Sequence, residues 1–254
     1  NLRATTTPEV IANADFIIVD INLDVDLDKD RASIDFKGFT KAINTIGDYA
    51  RNDALVIIET TVPPGTTERI VYPLLKDKFN KRFTKENLPM VAHSYERVMP
   101  GPNYFNSITN FWRVYSGCNF ESTKKCKEFL NTIINTQKYE MKEVMSPTAS
   151  ETAKIMENSY RAMNIAFLDE WSKFADIVEI DLFDVVSAIK VRPTHNNIMK
   201  PGLGVGGYCL TKDPLMGMVS LDQIFKKKSE FPLSKLSVEI NKKMPKNTLN
   251  LILK

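Results

Sequence analysis

The first 145 residues alternate between two hydrophobic periods. Residues 14–21 form a short, largely apolar run of the kind found in buried parallel strands. Residues 36–50 then repeat Phe36, Phe39, Ile43, Ile46 and Ala50 at helical spacing, and 54–61 is again a buried strand. Residues 66–79 read as a helix, 89–94 and 111–116 as strands, and 122–134 as a helix. Between the first strand and helix, 22–35 is a polar, acid-rich loop. Strands alternating with helices predict an α/β fold with a Rossmann-like, doubly wound parallel sheet.

From Ser146 the pattern becomes helical throughout. Thr148-x-x-Glu151 has the form of a capping box. Met156, Tyr160, Met163, Phe167, Trp171, Phe174 and Val178 then recur at three- and four-residue steps, which predicts one long helix over 148–178. Ile155, Ala162, Ile165 and Ala166 add apolar positions on further faces, more than one domain needs to bury, so a homodimer built on this helix is expected. A second helix is predicted over 182–189 with Asp181 as its N-cap. A glycine-rich loop follows Lys200, and then a weakly patterned, lysine-rich stretch. The expected domains are 1–145, a sheet domain; 146–225, helical; and 226–254, the start of a third.

Composition narrows the function classes. A chain of 254 residues, 43% hydrophobic, can bury a real core. A net charge of +3 with no basic block gives no reason to expect nucleic acid or a membrane surface as partner. No apolar run approaches the roughly 20 residues of a spanning helix. Cys118, Cys126 and Cys209 have no C-x-x-C spacing and cannot all pair, which suits reduced thiols in a cytoplasmic enzyme without a metal site.

Four segments carry candidate chemistry. Residues 59–68, Glu-Thr-Thr-Val-Pro-Pro-Gly-Thr-Thr-Glu, end a strand in hydroxyls and turn into a helix whose amides favour anions; an ordinary strand–helix turn accounts for them equally well. Glu96, just beyond another strand, is placed for a general base, although an exposed pair with Arg97 is the simpler account in isolation. Lys154 and Asn158 share a helix face about 200° from Met156 and Tyr160, where an ammonium beside an amide makes an oxyanion site. On that evidence alone, two solvated residues are the plainer reading. In the fourth segment, residues 201–214, four of the ten glycines fall within six residues, directly before Cys209, Lys212 and Asp213. Gly202, Gly204 and Gly207 fit G-x-G-x-x-G, but no buried strand precedes them and no clear helix opens from them, so a dinucleotide fingerprint is rejected. The loop instead suits close backbone approach to a ligand, with Cys209 as a thiolate nucleophile. Cys118 and Cys126 read as small buried hydrophobes.

In this order and at these spacings, the four segments resemble the UDP-glucose/GDP-mannose dehydrogenase family, from Ala14 to Asp213 and weakly beyond. The resemblance implies NAD-dependent oxidation of a UDP-sugar 6-hydroxyl to the uronic acid through a cysteine thiohemiacetal and thioester. It makes Cys209 the nucleophile, Asp213 its water-orienting partner, Lys154 and Asn158 the oxyanion donors, and Glu96 the base of thioester hydrolysis at the sugar site. It gives Thr61 the catalytic water beside the cofactor, Lys212 the cofactor pyrophosphate, Gly206 a substrate contact, and Arg192 a reach into the neighbouring subunit's sugar site. Arg192 stands one residue farther from Cys209 than is usual. Tyr95 and Tyr208 lean toward the branch that acts on N-acetylated UDP-sugars, with polysaccharide biosynthesis as the setting. Family members open with a strand and G-x-G-x-x-G turn and close with a nucleotide-gripping domain. Neither is read here, so a chain truncated at both ends is expected, and the rival expectation is an inactive fragment that keeps the dimerisation helix. Dehydrogenases of the 3-hydroxyacid and 6-phosphogluconate type share the plan but lack a cysteine loop, so Cys209 argues against them.

Overall fold

The computed structural model describes residues 2–28, 31–84, 88–99 and 101–253. They cluster into two compact units, Asn1–Lys154 with Val219–Lys227, and Ile155–Met218 with Lys228–Lys254. Among them no helix is long and apolar enough to cross a membrane, and no group of metal-ligating side chains gathers.

The first unit begins with β1 (Phe16–Val19), a small hairpin of β2 (Asp26–Asp28) and β3 (Arg31–Ser33), and helix α1 (Lys37–Tyr49). The hairpin falls inside the stretch read as a loop, of which residues 29 and 30 lie outside the described residues. Then come β4 (Leu55–Ile58), a π-turn (Thr67–Val71), α2 (Tyr72–Arg82), β5 (Met90–His93), α3 (Tyr104–Thr109), β6 (Arg113–Gly117), α4 (Phe120–Asn131) and β7 (Met141–Glu143). The sheet order is β1-β4-β5-β6-β7. The run Leu-Val-Ile-Ile of β4 is apolar at every position because the strand is covered on both faces, and all four residues are buried. Its Leu55 and Ile57 meet Ala92, Tyr115, Cys126 and Leu130 in one core cluster beneath α4.

Two strand expectations need correction. The first strand was read as buried, yet β1 is a sheet edge on which Phe16 and Ile18 stay exposed and only Val19 is buried. The sheet was read as parallel, and β1/β4, β4/β5 and β6/β7 are, but β5 and β6 run antiparallel, with Ala92 opposite Gly117. Among the described residues the link between β5 and β6 holds only the six-residue α3, and an antiparallel neighbour requires no crossover helix.

Helix α5 (Pro147–Val178) gives its first turns to the first unit and the rest to the second. The second unit continues with α6 (Leu182–Lys190), which Asp181 caps by accepting the Phe183 amide at 2.8 Å, as expected. A short helical run follows the glycine loop: a 3₁₀ turn (Asp213–Leu215), α7 (Met216–Val219) and a π-turn (Ser220–Ile224), the last of which belongs to the first unit. The lysine-rich stretch read as weakly patterned forms α8 (Pro232–Ile252), and Asn241 on it donates to the Ala162 carbonyl of α5 at 3.0 Å. On α5 the buried apolar positions include Ile155, Ala162, Ala166, Leu168 and Ala175, whereas Met156, Tyr160, Phe167, Trp171, Phe174 and Val178 of the periodic stripe are exposed.

Candidate active site

In the first unit the chain leaves β4 through Glu59, which pairs with buried Arg113 at 2.7 Å, and Thr60; Thr61 is half-buried at the strand's exit. Residues 62–67 are buried. Gly65 has φ +92°, and a Cβ there would come within 2.8 Å of the Phe225 ring, so the turn needs glycine. The amides at this helix start were read as an anion site. They hold a carboxyl group of the protein's own: Glu151 of α5 accepts from Gly65 N at 2.6 Å and Thr67 N at 2.8 Å, and the Thr67 hydroxyl faces the same carboxyl group.

The expected capping box is therefore not formed. Ser146 caps α5 by accepting the Ala149 amide at 3.2 Å, and Pro147 occupies the first helical position. The Thr148 amide and hydroxyl both donate to Glu68. Two segments thus exchange carboxyl groups: Glu68 serves the start of α5, and Glu151 serves the turn that leads into Glu68. Burial pushes the Glu151 proton affinity up to about 8 against the pull of its donors.

One turn along α5, Lys154 is buried, which removes the reading as a solvated outer face. Its ammonium donates to the Glu96 carbonyl at 2.8 Å, lies 3.9 Å from the Glu96 carboxylate and sits 5.3 Å from the centre of the Tyr95 ring. Glu96 keeps about a third of its side chain exposed (35%) and accepts the Val98 amide. Arg97 donates to the Trp112 carbonyl and, at 3.0 Å, to the Tyr95 hydroxyl. His93, wholly buried, holds Ser150 at 2.8 Å; burial, and after it the charge of Lys154, lowers its pKa to about 3 and keeps the ring neutral.

In the second unit, Asn158 donates to Asp213 at 2.7 Å. Asp213 is buried, and its other oxygen lies 3.2 Å from the Lys212 ammonium, itself 4.3 Å from the centre of the Tyr208 ring. The amides of Lys212 and Asp213 both donate to the Cys209 carbonyl, at 3.2 and 2.9 Å, closing a turn that ties the cysteine to this charged pair. Cys209 is in no disulfide and its side chain is exposed. Cys126 is buried, and burial drives its thiol up to about 12; burial raises the Cys118 thiol as well. At Gly206 a Cβ would meet nothing within 4 Å, so no protein contact demands glycine there. Arg192 is exposed at the end of α6, before the 3₁₀ turn Pro193–His195.

The structure therefore groups Glu96 with Lys154 in one unit, and Asn158, Asp213, Lys212 and Cys209 in the other. Sequence reasoning missed Glu151 as a buried acceptor, along with Glu68, His93 and Ser150. The signal for Glu151 was present, because Glu151, Lys154 and Asn158 at i, i+3 and i+7 share one helix face.

Fold and site define the class as an α/β dehydrogenase-like sheet followed by a long helix and an exposed thiol in a glycine loop. The chain belongs to the UDP-glucose/GDP-mannose dehydrogenase family: residues 1–137 match its NAD binding domain and residues 148–243 its central domain. Among its relatives, UDP-N-acetyl-D-mannosamine dehydrogenase of Methanocaldococcus jannaschii is 34% identical over 246 residues, 96% of this chain and 52% of that protein. Of solved structures, UDP-D-ManNAc dehydrogenase from Pyrococcus horikoshii superposes with a TM-score of 0.81 at 29% identity, over 98% of this chain and 55% of that one. NDP-N-acetyl-D-galactosaminuronic acid dehydrogenase from Methanosarcina mazei gives 0.77 at 26%, over 97% and 52%. A 3-hydroxyisobutyrate dehydrogenase of Mycobacterium tuberculosis, at 0.65 and 16% identity, shares the fold. The chain spans about half the length of the curated relatives it matches.

The residues present fit NAD in part. Parallel β1 and β4 end side by side, where a dinucleotide lies in sheets of this class, and half-buried Thr61 stands there. The amides of the following turn are bound to Glu151, so a pyrophosphate must be held by other groups.

Proposed function

We propose that this chain provides the catalytic residues of an NAD-dependent dehydrogenase that oxidises the 6-hydroxyl of a UDP-N-acetylhexosamine to the uronic acid. The observation that carries the reading is Cys209, the exposed thiol of the chain, in an open glycine loop whose turn is closed by Lys212 and Asp213. The names of the relatives favour the mannosamine epimer as the first substrate to try.

NAD would supply the hydride acceptor, two NAD⁺ molecules bound one after the other each taking one hydride. Lys154, an ammonium held in a fixed pose by a backbone carbonyl, and Asn158, fixed by Asp213, supply donors for the charge that develops on the sugar oxygen. The Cys209 thiolate adds to the aldehyde carbon, so the reactive aldehyde stays covalently bound until the second oxidation. The resulting thioester is hydrolysed by water, for which Thr61 is the holding residue of the first unit and Asp213, tied to the cysteine turn, the orienting residue of the second. Glu96 takes the water's proton as the carbon–sulfur bond breaks and the thiolate leaves. Thr61 also borders the cofactor, Lys212 meets its pyrophosphate, and Gly206 leaves room for the sugar. Residues 1–145 act as the NAD domain and 146–225 as the dimerisation domain. The exposed stripe of α5 packs on a second copy, Arg192 enters the neighbouring subunit's sugar site, and the thiols stay reduced in the cytoplasm.

The test is turnover of the complete protein with UDP-N-acetylmannosamine and NAD, following NADH and acid. The parent should give two NADH per acid. Cys209→Ser should lose several orders of magnitude, as catalytic groups acting as a unit do, while Cys118→Ser and Cys126→Ser should change little. A Cys209→Ser variant at near-parent rate would reject the thioester route.

A further inference from the structure

We infer that Glu151 is a positioning residue of this reaction: its buried carboxyl group fixes the turn that carries Thr61 to the turn of α5 that carries Lys154. The inference rests on the reading of the site given above.

The geometry is specific. Both carboxyl oxygens accept a backbone amide of the turn, Gly65 at 2.6 Å and Thr67 at 2.8 Å. Val62, Pro63 and Pro64 are buried between Thr61 and Gly65, and the two prolines lock their φ angles. Fixing Gly65 and Thr67 therefore fixes Thr61, four residues upstream. At the other end Lys154 follows Glu151 by three residues, about 4.5 Å along the helix axis. Its ammonium is then set on the Glu96 carbonyl. Glu151 is thus the link from the proposed water-holding threonine to the proposed oxyanion lysine.

Capping alone does not account for this residue. A surface Ser, Thr or Asp suffices to satisfy one amide at a helix start, as Ser146 does for α5. Here a glutamate is brought from another element, fully buried, and used on two amides at once. The second link, from Glu68 to Thr148, holds the same two segments in the opposite sense. Removing Glu151 should therefore loosen the turn without detaching α5.

Glu151→Gln tests this in the complete protein. The glutamine oxygen can still accept one amide, but its NH₂ group has no lone pair for the other. Misplacement on the order of 1 Å costs about 10²-fold in rate, so kcat should fall by up to about that factor, and the KM for the UDP-sugar should fall with it, because a slowly hydrolysed acyl-enzyme lowers both. Because thioester hydrolysis needs the water that Thr61 holds, whereas the first hydride transfer does not, the first NADH should be slowed far less than acid release. Rapid quench with mass spectrometry should then show acyl-enzyme building up on Cys209. Hydrogen exchange should show faster exchange at Gly65 and Thr67, with β4 and β5 still protected.

A kcat unchanged per alkylation-titrated Cys209, or one reduced only in step with the folded fraction, would make Glu151 a structural residue and overturn the inference. Glu151→Asp, one methylene shorter, provides the same comparison if the glutamine variant does not fold. A parent that produces no NADH from the UDP-sugar overturns both the site reading and this inference. An active parent with an unaffected variant overturns this inference alone.

Discussion

Three thiols share this chain, and their surroundings separate them as potential nucleophiles. Burial raises Cys118 and Cys126, and Cys209 alone is exposed. The same reasoning applies to two buried ionisable groups of the first unit, with opposite signs. Glu151 binds its proton more tightly in the fold, up to about 8, than in the unfolded chain, whose value is 4.5; its contribution to stability is full below 4.5 and is lost as pH rises through 8. His93, lowered to about 3 from 6.5, contributes fully above 6.5 and loses that contribution as pH falls through 3. Glu151→Gln cannot ionise, so its stability deficit against the parent should be largest near pH 5 and shrink by pH 8.5. Urea midpoints for the two proteins across that range measure it, and a constant or growing deficit would contradict the assignment. These residues could not be graded from sequence, because a pKa depends on which segments close around the group. Spacing put Lys154 and Asn158 on one helix face and Asp213 beside Cys209, while the family resemblance gave them roles; Lys154, Asn158 and Asp213 form the polar contacts described here.

At the level of elements, legibility followed hydrophobic period. β4 and α1 were read within a few residues because their buried positions are apolar: Leu55, Val56, Ile57 and Ile58 in the strand, and Phe39, Ile43 and Ile46 in the helix. α8 was not, since two of its three buried residues are Ser237 and Asn241, which leave no apolar stripe to detect. The direction of β6 was likewise invisible, being set by the path from residue 94 to 112 rather than by the strand's own residues. The start of α5 shows how a local motif can yield to a tertiary partner. Thr148-x-x-Glu151 has the capping-box residues, but both side chains bond to the 65–68 segment, and the cap falls to Ser146. Ser146→Ala should cost about 1 kcal/mol, the usual effect of losing a serine cap. Thr148→Ser keeps a hydroxyl for Glu68 and should cost less. Equal losses in thermal denaturation would mean that Ser146 is not the cap.

At the level of the molecule, the least satisfied feature is the outer stripe of α5. Met156, Tyr160, Phe167, Trp171, Phe174, Ile177 and Val178 are all more than about two-fifths exposed, and Phe183 and Val191 on and after α6 add to the apolar surface. Contiguous apolar area of this kind marks an interaction surface in soluble proteins. A second copy of the same helix is the proposed occupant, because a self-complementary stripe closes by two-fold symmetry without requiring a different partner. Aromatic pairs along it, Phe167–Trp171 at 6.2 Å and Trp171–Phe174 at 5.5 Å between ring centroids, put Trp171 at the centre of the stripe. Tryptophan in such a position tends to dominate association. Trp171→Glu with Phe174→Glu should therefore give a monomer by light scattering at micromolar concentration, where the parent should be a dimer. Both side chains already face solvent in the single chain, so the helical circular dichroism should be retained. If Arg192 completes the neighbouring subunit's sugar site, the monomeric variant of the complete protein should also show a raised KM for the UDP-sugar, with that for NAD little changed. A parent that is monomeric with the helix folded would refute the α5 interface, and a dimeric double variant would place the interface elsewhere.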